Sequence, residues 1–412
     1  MTARVTDLLK QILSLRVVTL SFLITCATLI FFTGAPTTNA SLQPKAFRPQ
    51  IPRGIPRWKW RKLIPRENPL TAEKVALGQA LYFDKRLSVD GTVSCATCHD
   101  PATAFADRNG VAMGVAGRIG TRNVPTTLNA MFNQSQFWDG RARSLEEQAM
   151  QPLLNPLEMG MLDREAVVTR LNGIPEYRQS FRAAFGAGAI TFENIARAIA
   201  SYERTLLSAD SPFDRFMAGD PRAITEGQKR GWLLFRGKAN CIACHTFSRE
   251  SPFFTDHKFH NTGITAGDLD LEELLHGLRS KPLDAFDSQR LGELAHTEKF
   301  TELGRFLISR KQQDAGAFKT PTLRDIELTA PYMHNASEKT LLDVMKFYND
   351  GGKKNSYLDE KIRPLNLSDA ELSDLVEFMR SLTSDSVLRR AQQSTPQTRT
   401  PVAFELHTSR TQ

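Results

Sequence analysis

Cysteine is scarce in this chain, with five among 412 residues. Cys26 lies in an apolar run near the N-terminus, which leaves Cys95, Cys98, Cys241 and Cys244 for the body. Four cysteines in an exported protein would ordinarily suggest disulfides, but their context points elsewhere. Alternating strand patterns of useful length are also missing, which argues against a sheet-based fold. Outside one short stretch there is no excess of positive charge. The formal net charge is +8, yet Ser41 to Leu70 alone holds eight basic residues against one acid, Glu67. The remainder is close to neutral, so the charge describes a tail and gives no support for a nucleic-acid-binding domain. What is present is ordinary for a soluble globular protein: 41% hydrophobic and 24% charged residues. At about 100–200 residues per domain, the length suggests two domains plus extensions.

The first 40 residues read as an export signal. Arg4, Lys10 and Arg16 precede an apolar run from Val17 to Thr33, and Thr38-Asn39-Ala40 offers a small-residue cleavage site. An uncleaved signal anchor is the alternative, although the run is short for a full span. Either way the body is expected outside the cytoplasm, in the periplasm. Residues 41–70 read as a basic, Pro-rich linker whose Trp58 and Trp60 suit an anionic membrane surface, with a solvated tether as the plainer reading. Residues 265–299 are charged and helix-forming, as in an insertion. Residues 384–412 read as a disordered tail.

All four body cysteines fall in two C-x-x-C-H motifs, Cys95-Ala96-Thr97-Cys98-His99 and Cys241-Ile242-Ala243-Cys244-His245. Two thiols on one turn can add across the two vinyl groups of a haem, and the adjacent histidine then binds its iron. Zinc would want one compact ligand cluster, whereas each motif recurs with its own histidine. The motifs predict two covalently attached c-type haems.

Each motif follows a similar helical segment. Thr71-Ala-Glu73-Lys-Val-Ala-Leu-Gly78 precedes the first, and Thr225-Glu226-Gly-Gln-Lys-Arg-Gly231 precedes the second. Both begin with a threonine cap and an acid in the first turn. Helices are further predicted over Glu193–Leu207, with Ile195, Ile199, Tyr202 and Leu206 on one face, and over Asp369–Leu382, capped by Ser368 with Glu371 as its capping-box partner. The expected fold is mainly α: two cytochrome c-like haem domains with long loops, over residues 71–215 and 216–383.

With these motifs stand Leu81-Tyr-Phe-Asp-Lys-Arg-Leu-Ser88, Arg122-Asn123-Val-Pro125, Phe137-Trp138-Asp139-Gly140-Arg141, Asn155-Pro156-Leu-Glu158-Met159-Gly160, Gly316-Ala-Phe-Lys-Thr-Pro-Thr-Leu-Arg324 and Leu328-Thr-Ala-Pro-Tyr-Met-His334. From about Asn68 to Thr383 the chain resembles the bacterial dihaem cytochrome c peroxidase and MauG family. The resemblance implies an N-terminal peroxidatic haem, a C-terminal haem that receives electrons, and one calcium ion between them. Carried over by position, His99 and His245 are proximal ligands. Glu158 is the distal acid/base, with Gln148 and Pro152 beside it. Trp138 stands between the haems, and Asn123, Thr329 and Pro331 hold the calcium. The implied partners are hydrogen peroxide and a small redox donor, a cytochrome c or a cupredoxin.

Peroxide cleavage needs an open iron face and a group that takes and returns a proton, a role for a carboxylate whose pKa burial has raised. Many family members close that face with a histidine from the loop after the first motif. No histidine occurs between His99 and His245 here, and the corresponding loop, 108–121, is Gly-rich and mobile in character. An iron that is five-coordinate or water-bound at rest is therefore expected. At the second haem, the distal position carries Tyr348, as in the MauG branch, with Met333 and Met345 as alternatives. Two further readings remain open: a MauG-like oxidase of a protein or organic substrate, and a non-catalytic electron carrier or redox sensor.

Overall fold

In the computed structural model, residues 46–264, 269–279, 294, 296, 297 and 299–393 are described. The expected signal, most of the predicted insertion and the chain beyond 393 lie outside them.

Two helix crossings organise the molecule, one in each half. Helix α1 (Arg57–Lys62) precedes the first. Helix α2 (Ala72–Phe83) begins where the Thr71 hydroxyl accepts a hydrogen bond from Lys74 N–H. After α3 (Leu145–Leu154), α4 (Arg164–Asn172) and α5 (Pro175–Phe185), helix α6 (Phe192–Glu203) returns across α2. The approach is close enough that a Cβ on Gly78 would fall 1.8 Å from the Ala198 carbonyl oxygen. The second half repeats this. After α7 (Pro212–Met217), helix α8 (Glu226–Arg236) starts from a Thr225/Gln228 capping box. It crosses α11 (Asp369–Arg380), whose own capping box joins Ser368 and Glu371. A Cβ on Gly231 would fall 2.0 Å from the Asp374 carbonyl oxygen. Between them lie α9 (Leu271–Arg279) and α10 (Leu341–Asn349), and α12 (Asp385–Gln393) follows.

Each crossing sits in its own apolar cluster. Leu77, Leu81, Tyr82, Phe181, Ile195 and Ile199 fill the first; Phe213, Trp232, Phe235, Phe254, Leu375 and Phe378 fill the second. A buried ion pair ties the second half together, with Arg324 donating to both oxygens of Asp214 at 2.8 Å. Among the described residues the sheets are two short antiparallel pairs: β1 (Val111–Met113) with β2 (Ile119–Asn123), and β3 (Phe259–His260) with β4 (Phe318–Lys319). The mainly α expectation stands. The two observed helices end at Glu203 and Arg380, short of the predicted Leu207 and Leu382.

Three expectations are corrected. The stretch read as a linker packs from residue 46 onward. Trp60 is buried in α1 and donates from Nε1 to Arg204 O, and Ile55 and Leu70 join it in an apolar cluster with Phe132 and Phe253. Of the two tryptophans assigned to a membrane surface, only Trp58 is exposed. Composition signals a linker when it is rich in proline and arginine, but a proline-rich segment can still bury the apolar residues between its charges. The tail is likewise ordered to 393, where α12 inserts Val387 into the first cluster. Finally, the Gly-rich loop forms the β1–β2 turn. Gly114 lets it lie against the Glu158 segment, where a Cβ would meet Leu157 O at 2.0 Å. Val115 N–H then donates to Glu158 O at 2.9 Å.

Candidate active site

The first motif is a single helical turn, Cys95–Cys98, capped by a Ser94/Thr97 box. His99 continues it, its N–H donating to Cys95 O at 2.9 Å. Its Nδ1 stands 3.2 Å from Phe105 O, which sets the proton on Nδ1 and leaves Nε2 free. The second motif repeats this geometry. Cys241–Ala243 form a turn, His245 N–H donates to Cys241 O, and its Nδ1 lies 2.9 Å from Phe254 O. Burial lowers the pKa of both imidazoles, His99 to about 4, so each is neutral and able to donate a lone pair. None of the four described cysteines is in a disulfide, and burial pushes Cys98 and Cys241 up to about 12.

Each motif faces its own cavity. The first has a volume of about 180 Å³ and the second about 250 Å³, and both open to solvent at a mouth. Cavities this size without side chains to fill them are rare in close-packed interiors. Two thiols, a free imidazole nitrogen and an apolar wall fit a covalently held haem in each.

The site residues expected from the sequence all line these cavities. Cys95, Cys98, His99, Gln148, Pro152 and Glu158 line the first. Cys241, Cys244, His245, Thr329, Pro331 and Tyr348 line the second, along with Met333 and Met345. Asn123 and Trp138 belong to both, in a shared wall with Lys319 and Pro321. That wall is tightly hydrogen-bonded: Trp138 Nε1 donates to Asn123 O, and Lys319 N–H donates to Trp138 O, each at 2.8 Å.

Helix α3 and the turn after it build the distal side of the first cavity. Gln148 and Pro152 sit on the helix. Asn155 ends it and turns the chain so that its Nδ2 donates to Glu158 Oε1 at 2.7 Å. Burial raises the Glu158 pKa, and the Arg141 charge and the Asn155 bond only partly oppose this. No aspartate or glutamate lines the second cavity among the described residues. The acid therefore belongs to one cavity alone.

For calcium, the structure brings Asn123 and Pro331 together. Asn123 Nδ2 donates to Pro331 O at 2.7 Å and to Met333 O at 2.9 Å. As the side chain stands, its nitrogen faces both carbonyls; only with the amide turned about its Cβ–Cγ bond would Oδ1 join them as the kind of donor a hard cation takes.

The family model described as Di-haem cytochrome c peroxidase matches residues 72–222. The methylamine utilization protein MauG of Methylorubrum extorquens is 39% identical over 322 residues, covering 78% of this chain and 81% of the relative. The cytochrome-c peroxidase IdrP1 of Pseudomonas sp. (strain SCT) is 34% identical over 365 residues, covering 87% and 90%. The chain belongs to the di-haem cytochrome c peroxidase family. As a member it is an oxidoreductase that acts on peroxide and uses haem c. The crystal structure of a MauG-like protein associated with microbial copper homeostasis superposes with a TM-score of 0.66 at 30% identity, covering 84% of this chain and 95% of that one.

Sequence reasoning missed three residues of this family member's cavities. Lys319, buried in the shared wall, is lowered by burial to about 8. Glu203, at the end of α6, lines the first cavity. His296, from the stretch read as an insertion, lines it too. Lys319 lay within a quoted family segment and was open to notice. Nothing in the sequence links Glu203 or His296 to a motif that lies about a hundred or more residues away.

Proposed function

We propose that this protein reduces hydrogen peroxide at the haem held by Cys95, Cys98 and His99, with electrons that enter at the haem held by Cys241, Cys244 and His245. The observation that carries the reading is an asymmetry between the two cavities. They share the Trp138 wall, and Glu158 stands in only the first.

Attached haem would supply the iron that holds peroxide and the electrons for H2O2 + 2 H⁺ + 2 e⁻ → 2 H2O. The protein contributes position and protons. His99 Nδ1, fixed by Phe105 O, aims Nε2 at the proximal side. Glu158, with its raised pKa, takes a proton from one peroxide oxygen and returns it to the oxygen that leaves as water. Gln148 orients the bound peroxide, and Pro152 keeps that helix face free of side-chain donors. Trp138 bridges the two cavities. Tyr348, in the lining of the second cavity, would hold the iron of a haem there, and as a hard anionic donor it would favour the oxidised state. Asn123, Thr329 and Pro331 would hold a calcium ion that steadies the wall. The donor is a small cytochrome c or cupredoxin, and the site of action is the periplasm, as the N-terminal signal suggests.

Tyr348 also favours a second reading, a MauG-like oxidase of a protein or organic substrate. One experiment separates them: add peroxide to the haem-loaded protein with and without a reduced small cytochrome c. Rapid oxidation of the donor supports the peroxidase. A long-lived oxidised species indifferent to the donor supports the oxidase.

A further inference from the structure

The distal wall of the first cavity holds an imidazole from a distant part of the chain. His296 is drawn in by an anchored segment. Thr297 N–H donates to Leu294 O at 3.1 Å, and Thr301 N–H donates to Thr297 O at 3.0 Å. Arg122 then grips Thr301, donating from Nε to its hydroxyl at 2.8 Å and from Nη2 to its carbonyl at 2.9 Å. The same Arg122 is paired at 2.6 Å with buried Asp139, which also holds Arg141. Thr301 is thus fixed to the charge cluster under the cavity.

The ring lies beside Asn155, whose Nδ2 is 3.3 Å from His296 Nε2 and 3.5 Å from Nδ1. The same Nδ2 donates to Glu158 Oε1. One amide therefore joins the imidazole to the acid. Two histidines of the second cavity are held differently. His334 Nε2 is 3.0 Å from Glu302, and His260 is clamped between Asp256 and Asp359. His296 has no carboxylate partner among the described residues and faces Arg141 and Arg122, with Asp139 behind them. Burial, then those two guanidiniums, lowers it to about 4, so a ring nitrogen keeps its lone pair near neutrality.

We propose that His296 is a second distal acid–base residue of the first cavity, acting with Glu158 through the Asn155 amide that joins them. It rests on the peroxide reading above. The two bases share one proton: the ring nitrogen or Glu158 takes it from the peroxide oxygen that stays behind, and it is then given to the oxygen that departs. The O–O bond breaks with both its electrons on the departing oxygen, which leaves as water. Haem at the two sites would supply the two electrons that the other oxygen needs, and the histidine ends as it began.

Cyanide tests this apart from turnover, because it must lose a proton to bind ferric haem and then accepts a hydrogen bond from the distal side. In His296→Ala, cyanide should bind about ten- to a hundredfold more weakly, the loss of a charge-assisted hydrogen bond. Reaction with peroxide should slow at least about tenfold. Haem content and the resting spectrum should match wild type. His296→Gln should recover part of the cyanide affinity but not the peroxide rate. Lys299→Ala, at an exposed site in the same stretch, should change neither. Unchanged cyanide affinity and peroxide rate in His296→Ala would overturn the proposal. So would a switch from low-spin to high-spin iron with tighter cyanide binding, the mark of a blocking ligand. A wild-type protein that binds no cyanide would sink the peroxide reading together with this one; normal wild-type binding with an unchanged variant sinks this one alone.

Discussion

A carboxyl group in an apolar cavity holds its proton more tightly than one in water, and Glu158 owes its proposed role to that effect. Glu158→Gln keeps the shape and the Asn155 contact but can no longer accept a proton. Peroxide turnover should fall by about 10²–10⁴-fold while both haems stay attached. Stopped-flow kinetics with a haem assay would check this, and unchanged turnover would remove Glu158 from the mechanism. Glu203 shows the same physics with a consequence for stability. Buried at the end of α6, its Oε2 finds no hydrogen-bond partner among the described residues, and burial pushes its pKa up to about 8. The folded value lies above the unfolded one, so the protonated form is favoured in the native state. That contribution is complete below the ordinary carboxylate value of about 4.3 and fades as pH rises through 8. Between pH 5 and pH 9 the melting temperature should therefore fall more in wild type than in Glu203→Gln. Equal slopes would mean that Glu203 does not titrate in this range.

At the scale of elements, the two helix crossings rest on one glycine each. The repeat before each motif already held Gly78 and Gly231, but a pattern of residues gives no reason for them. The reason is the backbone of the partner helix, at Ala198 in α6 and Asp374 in α11, which would sit inside the van der Waals radius of any Cβ. Neither carbonyl can rotate out of the way, so the helices must part. Gly78→Ala and Gly231→Ala should each cost about 1–3 kcal/mol or more, read as a lower midpoint in denaturant titration. Opposite behaviour, a gain from the better helix propensity of alanine, would show the crossings to be looser than described. The caps were legible because capping is local chemistry: Thr71, Thr225 and Ser368 act within three residues of themselves. The linker was not, because the burial of Trp60 depends on Arg204 and Phe253, far along the chain.

At the scale of the molecule, the two cavities are neighbours through Trp138, whose ring is held by Asn123 O. Trp138→Phe keeps an aromatic ring but loses that hydrogen bond and the easily oxidised indole. Both haems should attach as in wild type. Transfer of electrons from the second site to the first should slow by about tenfold or more, equivalent to a barrier higher by about 1.4 kcal/mol. Rapid-mixing spectra of the reduced protein with peroxide would follow both irons, and a wild-type rate would place the electron path elsewhere in the wall. The haem motifs, the helix caps and the repeat were set by the sequence alone, because each acts over a few neighbouring residues or a fixed spacing. Only the tertiary structure decided that one cavity has the acid and the other none. Only it brought His296 to the acid's side, buried Ile55, Trp60 and Leu70 of the supposed tether, and laid the Gly-rich loop on Glu158. Those outcomes depend on contacts between residues tens to hundreds of positions apart, and no local pattern encodes the packing that makes them neighbours.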